Sequence, residues 1–92
     1  MPDPIEQGCA RILREVLSTT RPNSVADWND ERLLAEPLEA IDIDSLSLLD
    51  FAMQIEDAYS IELDEAAVRR CRTIREVAEL VAAAKRQSAI NV

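Results

Sequence analysis

Asp44-Ser45-Leu46-Ser47-Leu48-Leu49-Asp50-Phe51-Ala52-Met53-Gln54-Ile55-Glu56-Asp57-Ala58 is the stretch that decides the fold. An acid stands in a cap position and a sustained apolar run follows it. Leu46, Leu49, Met53 and the Ala52–Ile55 pair recur at helical spacing, and Leu48 and Phe51 widen the stripe. The spacing predicts a helix from about Ser45 to about Ala58. Its polar positions are few: Ser47, Asp50, Gln54, Glu56 and Asp57. A helix this apolar is either largely buried or offers an apolar side to a partner.

Outward from that helix, the flanks also read as helical. Asp3-Pro4-Ile5-Glu6 is an N-cap, a proline at the first helical position and a glutamate three residues after the cap. Ile5, Cys9, Ile12, Leu13, Val16 and Leu17 then form one apolar stripe. Gly8 weakens that helix by about 1 kcal/mol relative to alanine, so a close neighbour or fraying is expected there. Pro22 disfavours helical geometry at Arg21 and should stop the helix near Ser18–Thr20. Residues 21–44 are a long connection, with Trp28, Leu33, Leu34, Leu38, Ile41 and Ile43 as anchors. Such a loop should be pinned to the core, with one short turn around Asp30–Ala35. Beyond the central helix, Asp64 can cap a short helix to about Cys71. Thr73-Ile74-Arg75-Glu76 is a capping box opening a last helix, with Ile74, Val77, Ala78, Val81 and Leu80 on its apolar face. That helix is expected to fray over Ala82–Lys85. Residues 1–86 read as a single domain, and residues 87–92 as a frayed tail.

The composition agrees with an all-α fold. The chain has 92 residues, 48% of them hydrophobic, with thirteen alanines, one glycine and three aromatics, Trp28, Phe51 and Tyr59. A sheet protein needs more turn residues and more β-branched or aromatic strands. Net charge is −8 and histidine is absent. The charge is uneven: residues 27–65 hold thirteen acids and one base, Arg32, while the remainder holds five acids and nine bases. An acidic middle repels nucleic acid and anionic membrane and attracts basic protein surfaces. Plain solubility is the simpler explanation of the same numbers.

Several functions fall away. Without histidine there is no Ser-His or Cys-His nucleophile pair. Asp42-Ile43-Asp44 hints at a calcium loop, but Leu46 and Ser47 occupy a ligand position and the glycine position, so no metal site is expected. No stretch reaches the length of a membrane span, no secretory signal is legible at Met1–Ala10, and a cytoplasmic monomer is expected. Cys9 and Cys71 match no metal spacing and read as small buried hydrophobes on helical patterns. Arg69, Arg70, Arg72 and Arg75 could be a nucleic-acid patch, but they lack interleaved aromatics and sit in an acidic protein. A solvated helix face is the simpler reading.

Ser45 stands out because it opens the apolar helix at the end of the long loop. A helix start favours an attached anion such as a phosphate, although serine before an apolar run is also an ordinary capping signal. Asp44-Ser45-Leu46, followed by Leu49, Met53, Ile55, Glu56, Asp57 and Tyr59, resembles the acyl carrier protein family, whose signature is Asp-Ser-Leu opening its second helix. The likeness continues through Ile61-Glu62-Leu63 and Thr73-Ile74, and covers about residues 3–85.

The resemblance implies a four-helix acyl-carrier-like bundle: three main helices, a short third one and a long first loop. It implies that Ser45 bears 4′-phosphopantetheine, delivered from coenzyme A by a phosphopantetheinyl transferase. The arm's thiol would hold an acyl or aminoacyl group as a thioester, so the chain itself is not an enzyme. An acyl- or aminoacyl-loading ligase or synthase and a downstream acyltransferase would be further partners. Asp44, Leu46, Asp50, Met53, Glu56 and Asp57 would lie on or near the docking face, where basic partners are steered to the carboxylates. The rival reading is an unmodified helical adaptor of the same fold, binding a basic partner through its acidic second helix. Some features depart from the family pattern. Ile41-Asp42-Ile43 stands where many members have Leu-Gly and one more residue. Ser47 replaces a frequent acid, and Arg69, Arg70 and Arg72 occupy a region that is often acidic. These departures point to a specialised carrier rather than a housekeeping fatty-acid one. The Asp before the serine is closer to acyl carriers than to peptidyl carriers, and an aminoacyl carrier stays open.

Overall fold

Helix α1, Pro4–Thr20, begins with the reciprocal hydrogen bonds that a capping box requires. Glu6 N–H donates to Asp3 Oδ1 at 2.7 Å, and Asp3 N–H donates to Glu6 Oε1 at 3.0 Å. The backbone N–H of Asp3 holds the Glu6 carboxyl below its ordinary value; burial opposes it, and the Arg75 guanidinium adds to the lowering. The computed structural model describes residues 3–20, 27–41 and 43–90. Pro22 and the start of the long connection, Asp42 and the last two residues of the tail lie outside them.

Cys9, Ile12, Leu13, Val16 and Leu17 are buried on one side of α1, as their spacing requires. The stripe packs against the central helix and the last helix. Gly8 has the close neighbour that its position called for. The Tyr59 hydroxyl fills the space a Cβ would need, and Tyr59 Cζ would lie 3.2 Å from such an atom. Glycine is therefore used here for close approach, despite its cost in a helix.

The long connection is more ordered than one short turn. Helix α2, Asp30–Ala35, matches that turn and is capped by Asn29, whose Oδ1 accepts the Arg32 N–H at 2.8 Å. A further turn of helix, α3, covers Leu38–Ile41. Four residues with no side-chain cap give almost no periodic signal, so the sequence does not announce it. Leu33, Leu34 and Ile41 are buried, and Trp28, Leu38 and Ile43 are partly buried against the same core.

Polar ties reinforce this pinning. Arg14 Nη2 donates to Asp30 Oδ1 and to the Trp28 carbonyl, both at 2.8 Å. The Arg32 guanidinium lies 4.1 Å from the Trp28 ring centroid. Arg75 bridges two elements, with Nε 2.9 Å from Glu6 Oε2 and Nη2 2.8 Å from Glu31 Oε1. Exposed ion pairs are worth up to about 1 kcal/mol each, so the buried leucines do most of the holding.

Helix α4, Ser45–Tyr59, buries Phe51, Ala52 and Ile55 in the core. Helix α5, Glu65–Arg70, is capped by Asp64, whose Oδ1 accepts the Ala66 N–H at 3.1 Å, and it buries Val68. Helix α6, Ile74–Ile90, opens on the expected capping box. Thr73 N–H donates to Glu76 Oε2 at 3.1 Å and Glu76 N–H to Thr73 Oγ1 at 3.2 Å. The helix continues past the Ala82–Lys85 end and through residues 87–90. Ile74, Val77, Ala78 and Val81 are buried on it. Helix α2 packs against α1 and α6, and α4 against α5 and α6, so the described residues form an all-α bundle around one core.

The two cysteines differ. Cys9 is fully buried in α1, and burial pushes its thiol up to about 12, with the nearby Asp3 and Glu6 carboxylates adding to the shift. Cys71 is not inside a helix as its pattern suggested. It is the half-buried C-cap of α5, and its Sγ donates to the Ala67 carbonyl at 3.4 Å. Both thiols are free.

Candidate functional site

The start of α4 divides two tasks between adjacent residues. Asp44 is the cap: its backbone is extended and its Oδ1 accepts the Ser47 N–H at 2.7 Å. Ser45 is the first helical residue and is exposed. Its hydroxyl is therefore not the capping group, which removes the simpler explanation of a serine at this place. No acid stands within the first turn of α4. The partial positive charge of the helix start favours an anion there by about 0.3–1 kcal/mol. An exposed primary hydroxyl at such a place fits attachment through a phosphodiester.

The rest of the helix separates into two faces. Phe51, Ala52 and Ile55 point into the bundle. Leu46, Asp50, Met53 and Asp57 follow at i, i+4, i+7 and i+11 and form one exposed stripe on the other side. Leu46 is 80% exposed and Met53 63%, the large hydrophobics most open to solvent among the described residues. Periodicity alone grouped Leu46 and Met53 with the core residues. Folding gains nothing from leaving them in water, where each forgoes roughly 1.5–3 kcal/mol of burial. An alternation of apolar and acidic side chains along an exposed helix can meet a surface that is both basic and apolar.

Glu56 sits differently from the other residues expected on this face. It is half-buried, and its Oε2 accepts the Leu63 N–H at 2.8 Å. It ties the end of α4 to the α4–α5 connection, a partner seven residues away that no helical pattern reveals. Leu49 is likewise half-buried. Ser47, which reads as polar in the sequence, is the buried polar residue of α4.

The basic cluster also comes apart. Arg69 Nη2 pairs with Glu65 Oε1 at 2.7 Å one turn back on α5, and Arg75 belongs to the clamp with Glu6 and Glu31. Arg70 and Arg72 are exposed. Among the described residues no group of histidine, cysteine, aspartate or glutamate is arranged to hold a metal ion. No helix there is long and apolar enough to cross a membrane.

The family model described as "Phosphopantetheine attachment site" matches residues 23–81. The matched segment contains Ser45, the exposed stripe of α4, α5 and the start of α6. Acyl carrier proteins from two strains of Tropheryma whipplei, Twist and TW08/27, are each 25% identical over 75 residues, covering 82% of this chain and 92% of theirs. No solved structure matches at the same stringency. With the matched model spanning well over half the chain, the protein belongs to the acyl carrier family, whose non-catalytic members carry 4′-phosphopantetheine.

Proposed function

We propose that Ser45 is the attachment point for 4′-phosphopantetheine and that the protein carries an acyl or aminoacyl group between partner enzymes. The observation that carries this reading is the division at the start of α4: Asp44 caps, and Ser45 is exposed with its hydroxyl spared. When attached, the arm supplies a terminal thiol that holds its cargo as a thioester. The chain's own part is to present the nucleophilic oxygen. Attachment would form an oxygen–phosphorus bond at Ser45 Oγ, break the pyrophosphate P–O bond of coenzyme A so that its nucleotide portion leaves, and send the hydroxyl proton to a base. The chain has no histidine, and the Asp44 carboxylate is engaged by the Ser47 N–H. A base on the docked transferase would take that proton.

Leu46, Asp50, Met53 and Asp57 form the docking stripe of this proposal, with Asp44 at its upper edge. Glu56 contributes by fixing the lower end of the helix. A basic, partly apolar surface on the transferase, on a loading ligase or synthase, or on a downstream acyltransferase would complement the stripe. A cytoplasmic monomer suits this role.

Incubation of the purified chain with coenzyme A and a broad-specificity phosphopantetheinyl transferase tests the reading. The intact mass should rise by one phosphopantetheinyl group, and the Ser45→Ala variant should stay unchanged. An unmodified mass, with a control carrier fully converted in the same tube, would favour the helical adaptor instead.

A further inference from the structure

Arg70 and Arg72 open onto a groove of about 680 Å³ whose facing wall is Pro37 and Leu38. The two walls are fixed to each other. Pro37 and Thr73 form an isolated antiparallel bridge, and the Leu38 N–H donates to the Arg72 carbonyl at 2.8 Å. Pro37, Leu38 and half-buried Cys71 give the groove an apolar part.

The cations here are available. Among the described residues neither Arg70 nor Arg72 makes an ion pair, whereas Arg69 is held by Glu65. Glu76, at the end of the groove, is already engaged: its Oε2 accepts the Arg72 N–H at 2.9 Å and the Thr73 N–H at 3.1 Å. Glu39 is the other acid on the rim. The groove therefore presents two unpaired guanidinium forks in a chain whose residues 27–65 hold thirteen acids and one base.

That sign reversal selects the occupant. A uniformly basic partner drawn to the α4 stripe meets repulsion here. The −8 net charge of the whole chain opposes any anion at longer range, and a nucleic acid, charged at every phosphate, more than a short acidic segment. Carboxylates match the guanidinium geometry, and an apolar side chain can shelter against Leu38. We propose that the groove docks an acidic segment of a partner protein, with its carboxylates on Arg70 and Arg72 and an apolar side chain against Leu38. The proposal does not require modification of Ser45. Its test uses the unmodified full chain, so its failure would leave the attachment reading untouched.

The test is an amide NMR titration with the capped peptide Glu-Asp-Leu-Glu-Glu, with Lys-Lys-Leu-Lys-Lys and a short oligothymidylate as controls. The acidic peptide should shift the amides of Leu38 and Glu39 and of residues 69–73, and binding should weaken at high salt. Arg70→Glu with Arg72→Glu should raise Kd about tenfold or more. Both side chains are exposed and the bridge uses the Arg72 backbone, so the variant should keep its helical circular dichroism. Three results would each overturn the proposal: absence of shifts in those segments, an unchanged Kd in the double variant, or tighter binding of oligothymidylate than of the acidic peptide.

Discussion

Asp44 and Ser45 are neighbours with separable consequences. Asp44 accepts the Ser47 N–H and completes the helix start, so Asp44→Ala should cost about 1 kcal/mol of stability. Ser45 is exposed and outside the capping bond, so Ser45→Ala should leave stability within about 0.5 kcal/mol. Urea denaturation of the two variants distinguishes the roles, and equal losses would mean that Ser45 also supports the helix. The helix start at Asp44 and Ser45 is legible in the sequence because its signal is local: an acid, a serine and an apolar run in consecutive positions. The caps at Asp3, Asp64 and Thr73 were legible for the same reason, since each bond closes within three residues. The role of Glu56 was not, because its backbone partner lies on a non-helical connection.

At the scale of the element, α4 shows what periodicity leaves open. Leu46 and Met53 are as apolar as Phe51 and Ile55, and a helix apolar all round does not say which side faces the bundle. Packing against α1, α5 and α6 settles it, and leaves the Leu46–Asp50–Met53–Asp57 stripe in solvent. The helix also ends in a way the sequence does not advertise. Ser60 adopts the left-handed conformation, φ 56° and ψ 48°, and its N–H donates to the Glu56 carbonyl. Glycine is the usual residue there, because a Cβ costs about 1–2 kcal/mol in that region. Ser60→Gly should therefore stabilise the protein, by up to about 1 kcal/mol after the entropy that glycine loses on folding. A lowered melting temperature in that variant would show that the Ser60 side chain contributes something this geometry omits. Helix α3 is the opposite case: its four residues exist because Leu38 and Ile41 find the core, which is a tertiary cause.

Across the whole molecule, charge and connection act together. The bundle measures 42 × 29 × 20 Å, so every surface charge lies within a few Debye lengths of the α4 stripe. Asp50→Lys and Asp57→Lys should slow modification by the transferase more at low salt than at high salt, because steering is screened. Equal rates at low salt would remove these residues from the docking face. The long connection is held by partners far apart in sequence: Arg75 with Glu31, Arg75 with Glu6, and Arg14 with Asp30. Such pairs set where the connection lies, and no window of sequence contains them. They also draw Arg75 away from what reads as one basic face of four arginines, while Arg69 pairs one turn back with Glu65 and Arg70 and Arg72 are left at the groove. The function proposed for this chain rests on one oxygen, Ser45 Oγ. After reaction with coenzyme A and a phosphopantetheinyl transferase, peptide fragmentation by tandem mass spectrometry should place the group on Ser45 alone. The group on Ser47 or Ser60, or a chain left unmodified while a control carrier reacts, would contradict it.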